Sequence, residues 1–147
     1  MHKTFLVNIP VDNDNFIEMQ CPYCKSRLRI NRKVWENGTI DKLFCPSCGL
    51  PDTIQSFITN EVRKNYYVQA NNYINSMVSN MLKGFKSSKF IKFDYKPTKN
   101  SEEHPILFLQ TDVSMVVCKS CGGISKVREI DKIAGYYCPI CGDENND

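Results

Sequence analysis

Cys21-Pro-Tyr-Cys24 is the first of four Cys-x-x-Cys pairs that decide the fold, and Cys45-Pro-Ser-Cys48, Cys118-Lys-Ser-Cys121 and Cys138-Pro-Ile-Cys141 follow it. The chain has 147 residues and 8 cysteines, and every cysteine belongs to one of these pairs. Each pair holds two thiols on one tight turn, and two such turns together make a tetrahedral four-sulfur cage for Zn²⁺. Twenty residues separate the first two pairs and sixteen the last two, which is the spacing of short Cys₄ sites. The sequence therefore predicts two zinc ions per chain, one held by Cys21, Cys24, Cys45 and Cys48 and one by Cys118, Cys121, Cys138 and Cys141.

The residues around the cysteines support a metal-binding turn. Proline follows the first cysteine in three pairs and presets φ for the turn, while glycine follows the second cysteine in three pairs and can take a positive φ. Lys25 stands where the other pairs have glycine. Cys-Pro-x-Cys-Gly paired with another Cys-x-x-Cys resembles the zinc-ribbon superfamily, over roughly residues 15–50 and 106–142. The resemblance implies metal binding and leaves the activity open, because zinc ribbons serve transcription factors, RNA polymerase subunits and many small bacterial proteins.

Three other uses of the cysteines compete with two local zinc sites. Four disulfides would require export, but residues 4–11 are too short and too interrupted for a secretion signal, so we expect a cytoplasmic protein with reduced thiols. We call each Cys-x-x-Cys pair, with the residue that follows it, a knuckle. The knuckles at 118–122 and 138–142 are also similar to those of rubredoxin, although sixteen intervening residues are few for that iron-binding fold. Pairing across the two halves of the chain would need long loop closures.

Composition limits the classes of partner. The formal charge of +3 counts the cysteines as neutral, and eight thiolates with two Zn²⁺ ions would lower it by four, to −1. Local charge is more informative, because six lysines against one acid, Asp94, lie between residues 83 and 99. Arginines also occur in the first ribbon. The residues predicted to contact nucleic acid are Arg27, Arg29, Lys83, Lys86, Lys89, Lys92 and Lys96. No apolar run approaches the length that spans a membrane.

The first ribbon reads as short strands around its cysteine turns. We expect strands at 4–9 and 16–20, a half-exposed strand at 27–30, a turn at Asn37-Gly38 and a return strand from 40 to 44. In the second ribbon we expect strands at 106–110 and 114–117 and a return arm over 126–130 and 133–137, with a turn near Asp131 or Gly135. The two halves share one order of strands and knuckles, which suggests an old duplication.

The middle of the chain reads as a helix over 52–86 followed by a basic strand at 89–95. Asp52 is expected to cap the helix, and a break near Thr59-Asn60 would let Asn60 cap a second segment. Apolar side chains recur at Tyr67, Ala70, Ile74, Met77, Met81 and Phe85, flanked by Tyr66, Tyr73, Val78 and Leu82. This stripe is either core packed on the ribbons or the seam of a dimer.

The expected fold is an α+β protein in which two small β-rich zinc ribbons flank a long amphipathic helix and a short basic strand. Its segments are 1–50 with the first ribbon, 51–100 with the helix, basic strand and linker, and 101–147 with the second ribbon and an acidic tail. Closed Cys₄ sites and two histidines predict a protein that is not an enzyme and takes no small-molecule substrate. We expect it to be associated with nucleic acid through the basic segment and first ribbon. The alternative is an accessory subunit or homodimer that docks through helix 52–86 and the ribbons.

Overall fold

The computed structural model describes residues 7–83 and 101–146, which form two compact units. One unit combines residues 9–59 with the chain from 106 onward, so that both cysteine clusters belong to it, and we call it the ribbon unit. The other contains the long helix together with residues 101–105. The α+β class is confirmed, with antiparallel sheets and one long helix.

Each half of the ribbon unit repeats one order of elements. The first half contains β1 (Phe16–Gln20), β2 (Arg27–Asn31), α1 (Arg32–Asn37), β3 (Lys42–Phe44) and β4 (Pro51–Thr53). The second half contains β5 (Val113–Val117), β6 (Ile124–Arg128), α3 (Glu129–Ala134), β7 (Tyr136–Tyr137) and β8 (Glu144–Asn145). A cysteine pair lies between the first two strands of each half and another between the last two. The order is that of a duplicated module.

The two halves share one sheet. Strands β1, β2, β6 and β5 lie side by side in that order and are antiparallel throughout, while β3–β4 and β7–β8 form separate two-stranded ribbons. At the junction Arg29 pairs with Lys126. Each of these residues is the fifth after the second cysteine of its knuckle, so equivalent positions of the two halves face each other. An approximate twofold axis through this pair relates the halves.

The short helices α1 and α3 occupy the places where the sequence predicts a turn and part of a return arm. Asn31 precedes α1 and its side chain accepts a hydrogen bond from the Lys33 amide at 2.9 Å, which satisfies an amide at the helix start. Gly38 ends α1 with φ of 61°, a conformation that glycine takes without steric cost. The predicted return arms at 40–44 and 133–137 therefore shorten to β3 and β7.

The core of the ribbon unit lies mainly in its first half. Its nine-residue cluster there centres on Leu28, Ile30, Leu43 and Phe57, all with no exposed surface. Phe57 comes from a short 3₁₀ turn, Ile54–Phe57, that follows β4. The cluster of the second half contains only Val116, Val127 and Tyr136.

Helix α2 (Asn60–Lys83) dominates the other unit. Asn65 is buried there because its side-chain amide donates to the His104 carbonyl at 2.7 Å and its carbonyl accepts from the His104 amide at 3.0 Å. Asn72 and Ser101 form a second reciprocal pair. Asparagines of the helix thus hold residues 101–104 alongside it.

Several predictions for the middle of the chain need correction. The helix does not begin at Asp52, because Asp52 lies in β4 and its carboxylate accepts from Thr53 and Ser56 instead of starting a helix. The break before Asn60 is confirmed. Four stripe residues, Tyr67, Ile74, Met77 and Met81, are exposed, so the stripe does not form core within its unit. The basic strand at 89–95 lies outside the described residues.

One predicted strand is absent, and a second is irregular over its described part. Residues 106–110 have no strand structure, because the amides of Leu109 and Gln110 donate to the Glu18 carboxylate instead of to a neighbouring strand. Residues 7–9 are also irregular, and 4–6 lie outside the described residues. Within 7–83 and 101–146, no helix has the length and apolar character needed to cross a bilayer.

Candidate metal centres

The structure brings the eight cysteines together as two clusters of four. Cys21, Cys24, Cys45 and Cys48 form the first centre, and Cys118, Cys121, Cys138 and Cys141 form the second. This is the predicted local pairing, and pairing across the halves is wrong. None of the eight cysteines is in a disulfide.

The sulfur geometry fits a tetrahedral ion. In the first centre Sγ of Cys21 lies 3.8 Å from Sγ of Cys48, and the Cys24–Cys45 distance is 3.5 Å. In the second centre the Cys118–Cys141 and Cys121–Cys138 distances are both 3.6 Å. A tetrahedron with Zn–S bonds of about 2.3 Å places its sulfurs about 3.8 Å apart. The four thiols of each centre therefore surround a space of the size that such an ion needs.

All four knuckles have the same backbone geometry. In each knuckle, the amide of the first cysteine donates to the carbonyl five residues on, at 2.9–3.1 Å, and the carbonyl of that cysteine accepts from the amide four residues on, at 2.8–3.2 Å. A further amide, two residues after the first cysteine, points at its sulfur at 3.4 Å. Backbone dipoles directed at sulfur favour the thiolate form that a metal ion requires.

The residue after each second cysteine takes a positive φ. Gly49, Gly122 and Gly142 have φ of 74°, 73° and 80°, and Lys25 has φ of 65°. The left-handed conformation costs a residue with a side chain about 1 kcal/mol or more. Lys25 therefore adopts the shared knuckle geometry at a cost that the three glycines avoid.

The thiols of each centre have unequal proton affinity. Burial raises the pKa of Cys138 to about 12 and also raises the pKa of Cys45. Burial also acts to raise the pKa of Cys118, but the Cys121 amide and the Asn145 side chain outweigh it and lower that pKa to about 6. The pKa of Cys24 falls to about 7, because hydrogen bonds from Ser26 outweigh burial in the same way. In each centre, a cysteine of the first knuckle, Cys24 or Cys118, is therefore a readier thiolate than the buried cysteine of the second knuckle, Cys45 or Cys138.

Asn145 is a residue of the second centre that the sequence does not indicate. Its side-chain amide donates to Sγ of Cys118 at 3.5 Å, and its carbonyl accepts from the Lys119 amide at 2.9 Å. The position of Asn145 in its half matches that of Asp52 in the first half. Asp52 accepts a hydrogen bond from the Tyr23 hydroxyl at 2.7 Å and donates none to sulfur. The sequence gives no signal for Asn145, because it lies four residues beyond the last cysteine and the equivalent residue of the first half is an aspartate.

Reciprocal contacts connect the two centres. The Phe44 amide donates to the Pro139 carbonyl at 2.9 Å, and the Tyr137 amide donates to the Pro46 carbonyl at 3.0 Å. Both prolines lie inside knuckles. The Phe44 ring also packs on Gly142 and the Tyr137 ring on Gly49, so closely that an added Cβ would lie 2.8 Å and 3.1 Å from the rings. Each centre thus forms part of the packing surface of the other.

Two arginines predicted to contact nucleic acid have internal partners. Arg27 lies 3.0 Å from the Glu18 carboxylate, and Arg29 lies 3.0 Å from the Asp12 carboxylate. Arg29 is 8% exposed. Asp12 also binds Lys126 at 2.8 Å, so two cations from the paired strands share one carboxylate. Burial acts to raise the pKa of Asp12, but hydrogen bonds, first from Lys126, lower it to about 2.

The remaining predicted contacts are lysines. Lys83 is exposed in the last turn of α2. Lys86, Lys89, Lys92 and Lys96 lie outside the described residues. Of the seven residues predicted to contact nucleic acid, the structure therefore describes Arg27, Arg29 and Lys83.

Comparison with known proteins adds no family. No family model, no curated protein and no solved structure matches this chain. The similarity to zinc ribbons therefore rests on the cysteine clusters and the knuckle geometry.

Proposed function

We propose that the chain is a non-catalytic, cytoplasmic zinc protein that holds two structural Zn²⁺ ions and acts by binding a macromolecule. The observation that carries the metal assignment is the pair of closed four-sulfur clusters, each with sulfur spacings that fit a tetrahedral ion. Four thiolates are the donor set of structural zinc. Iron binds the same donors, so elemental analysis decides between the two metals.

The closed donor sets support a structural role for both ions. A catalytic zinc ion keeps one position for water or substrate, and four cysteines leave none. The second half also needs the ion for folding, because its described core has only three residues. In this proposal metal binding is coupled to the folding of each half of the ribbon unit, and the second half depends on its ion more than the first.

A protein partner is the class that the described surface supports best. Tyr67, Ile74, Met77 and Met81 are exposed along α2, and a run of large apolar side chains on one helix is typical of a docking surface. The test is affinity purification of the zinc-loaded full chain from its host. We expect a stoichiometric protein that is lost from an Ile74→Glu, Met77→Glu variant, and capture that survives this change would contradict the assignment to α2.

Nucleic acid is the second candidate, supported by the six lysines between 83 and 99. Lysine contacts with phosphates would give binding that weakens steeply with salt and is largely independent of sequence. Changing Lys89, Lys92 and Lys96 together to Glu should then abolish the binding that the wild type shows at low salt. An Arg32→Glu, Lys33→Glu variant is the matched control, because it changes exposed cations elsewhere. No binding at low salt would reject this candidate.

A further inference from the structure

The two outer strands of the four-stranded sheet differ in how their free edges are covered. At β1, the Phe16 carbonyl accepts from the Asp12 amide at 2.9 Å, and the Phe16 amide donates to the Asp12 carboxylate at 3.0 Å. Val11 forms a bridge with Ile17 one residue further along. The chain before β1 therefore folds back along the start of this edge and covers Phe16 and Ile17.

The chain before β5 takes another path. The amides of Leu109 and Gln110 donate to the Glu18 carboxylate at 3.1 Å and 3.0 Å, and the Gln110 carbonyl accepts from Arg29 at 2.6 Å. These contacts hold the segment against the strands of the first half. It is thus not available to cover β5 in the way that residues 11 and 12 cover β1.

The outer edge of β5 is open among the described residues. The Cys118 amide donates to the Gly123 carbonyl, and the Glu129 amide donates to the Asp112 carbonyl. The backbone groups of the even-numbered residues of β5 therefore face β6. Because alternate residues of a strand point to opposite sides, the amides and carbonyls of residues 113, 115 and 117 point away from β6. No described strand lies on that side.

The residues of β5 include none that would oppose pairing with another strand. The strand reads Val-Ser-Met-Val-Val, with no charge, proline or glycine. Met115 is 47% exposed and Val117 is 58% exposed. Proteins normally protect an outer strand with a lysine, a proline, a bulge or a covering segment. Within residues 7–83 and 101–146, β5 has none of these and is therefore a template for another strand.

We propose that β5 pairs antiparallel with β5 of a second copy of this chain, centred on Met115, and extends the sheet to eight strands. In this register Met115 faces Met115 of the other copy, and Val113 faces its Val117. Asp112 precedes the strand and Lys119 follows it, so antiparallel pairing brings opposite charges together at both ends, and parallel pairing would bring like charges together.

The surface beside β5 fits the same partner. An open depression of about 210 Å³ lies along it, lined by Met115, Val117 and Tyr136 and by the cations Lys119 and Lys132. Asp112 of a second copy would approach this positive end. The inference goes beyond the metal-binding role, since the pairing uses β5 backbone and no cysteine.

The test is the mass of the zinc-loaded, reduced full chain in solution, by sedimentation or light scattering. The wild type should be a dimer. Met115→Lys and Met115→Glu should each weaken self-association at least about tenfold, because each places like charges directly opposite one another at the dyad. An equimolar mixture of the two variants should form a heterodimer. Zinc content should be unchanged in both, which separates this result from a failure of the metal proposal.

The control is Ile133→Lys, which adds the same charge at an apolar residue of α3 that is 83% exposed and lies outside β5. This variant should remain dimeric. A monomeric wild type would overturn the proposal and leave the edge to a strand from another protein. A dimer that persists in both Met115 variants, or a mixture that forms no heterodimer, would also overturn it and favour another surface such as α2.

Discussion

The two halves of the ribbon unit have the same arrangement of cysteines but apolar cores of unequal size. Besides its ligands Cys21 and Cys45, the first half has seven core residues, including Phe57 from the 3₁₀ turn, whereas the second half has three. The second half compensates in part with Asn145, whose amide supports Cys118 directly. The comparison teaches that equal metal sites need not contribute equally to folding. The half with less apolar burial depends more on its ion and on its neighbour.

Loss of one ligand in each half should have the largest and most unequal effect. Cys138→Ser should release the second ion and leave the first half folded around its larger core. Cys45→Ser should release both ions, because the three-residue core of the second half loses the packing surface that Phe44 provides. Metal content and amide hydrogen exchange of each variant measure this. If each variant retains one ion and equal protection of the other half, the predicted asymmetry is wrong.

Replacement of Asp12 should have the next largest effect on stability, because its carboxylate binds one cation from each half. Asp12→Asn removes the carboxylate that Arg29 and Lys126 share, which should cost about 2–3 kcal/mol in the free energy of unfolding. The cost stays below that of an unpaired buried charge because Lys126 keeps Asp14 at 2.6 Å and Arg29 keeps Glu18 at 4.0 Å. Glu36→Gln is the control, since its pair with Arg32 is exposed and such pairs contribute about 0–1 kcal/mol. Denaturant unfolding of the zinc-loaded variants gives both values.

The pKa of Asp12 also predicts how the stability difference between the wild type and Asp12→Asn depends on pH. The pKa of Asp12 is lowered to about 2 in the folded state, from an ordinary value of 3.8, so the carboxylate stabilises the fold above its unfolded pKa and loses this effect as pH falls through the folded one. The difference between wild type and Asp12→Asn should therefore be constant from neutral pH down to about pH 5. A difference that shrinks within that range would show that the Asp12 carboxylate is not held by its two cations.

The contact between the centres can be isolated with two glycines that share a backbone conformation. Gly122→Ala meets only the strain of its positive φ, about 1 kcal/mol, because no atom lies within 4 Å of the added Cβ. Gly142→Ala adds a clash with the Phe44 ring and should cost about 1–3 kcal/mol more. Thermal unfolding of the two variants measures the difference. Equal losses would mean that the ring contact does not couple the halves.

The smallest effect on stability is expected at Lys25, which stands where the other three knuckles have glycine. Lys25→Gly relieves a left-handed side-chain residue and should stabilise the fold by about 0.5 kcal/mol, after the greater freedom of glycine in the unfolded chain is counted. Lys33→Gly within α1 is the control of opposite sign, with a loss of about 0.5–1 kcal/mol. Chemical denaturation resolves the two directions. A loss in both variants would show that Lys25 makes a contact worth more than the strain it bears.

The parts of this fold that follow from the sequence are local. Cysteine spacing, with proline and glycine in fixed places, predicts the knuckles. Alternation of polar and apolar residues predicts β2, and short strand-like runs predict β1 and β5. Helices α1 and α3 were not predicted, although Asn31 and Gly38 are ordinary start and stop signals, because six residues are too few to show a helical period.

What could not be predicted is nonlocal. The pairing of Arg29 with Lys126 joins strands that are far apart in the chain, and nothing in either strand specifies the partner. For the same reason the sequence predicts that Arg27 and Arg29 contact nucleic acid, since the carboxylates of Glu18 and Asp12 become their neighbours only in the folded sheet. A single sequence also gives no reason to choose Asn145 among the polar residues near the second centre.

Metal content of the reductively purified full chain, with the zinc and iron of each preparation counted against protein, tests the central claim most directly. We expect two zinc ions per chain, and exhaustive chelation should release both and unfold the ribbon unit. Iron in place of zinc, a ratio of one or none, or a ribbon unit that stays folded without metal would contradict the account.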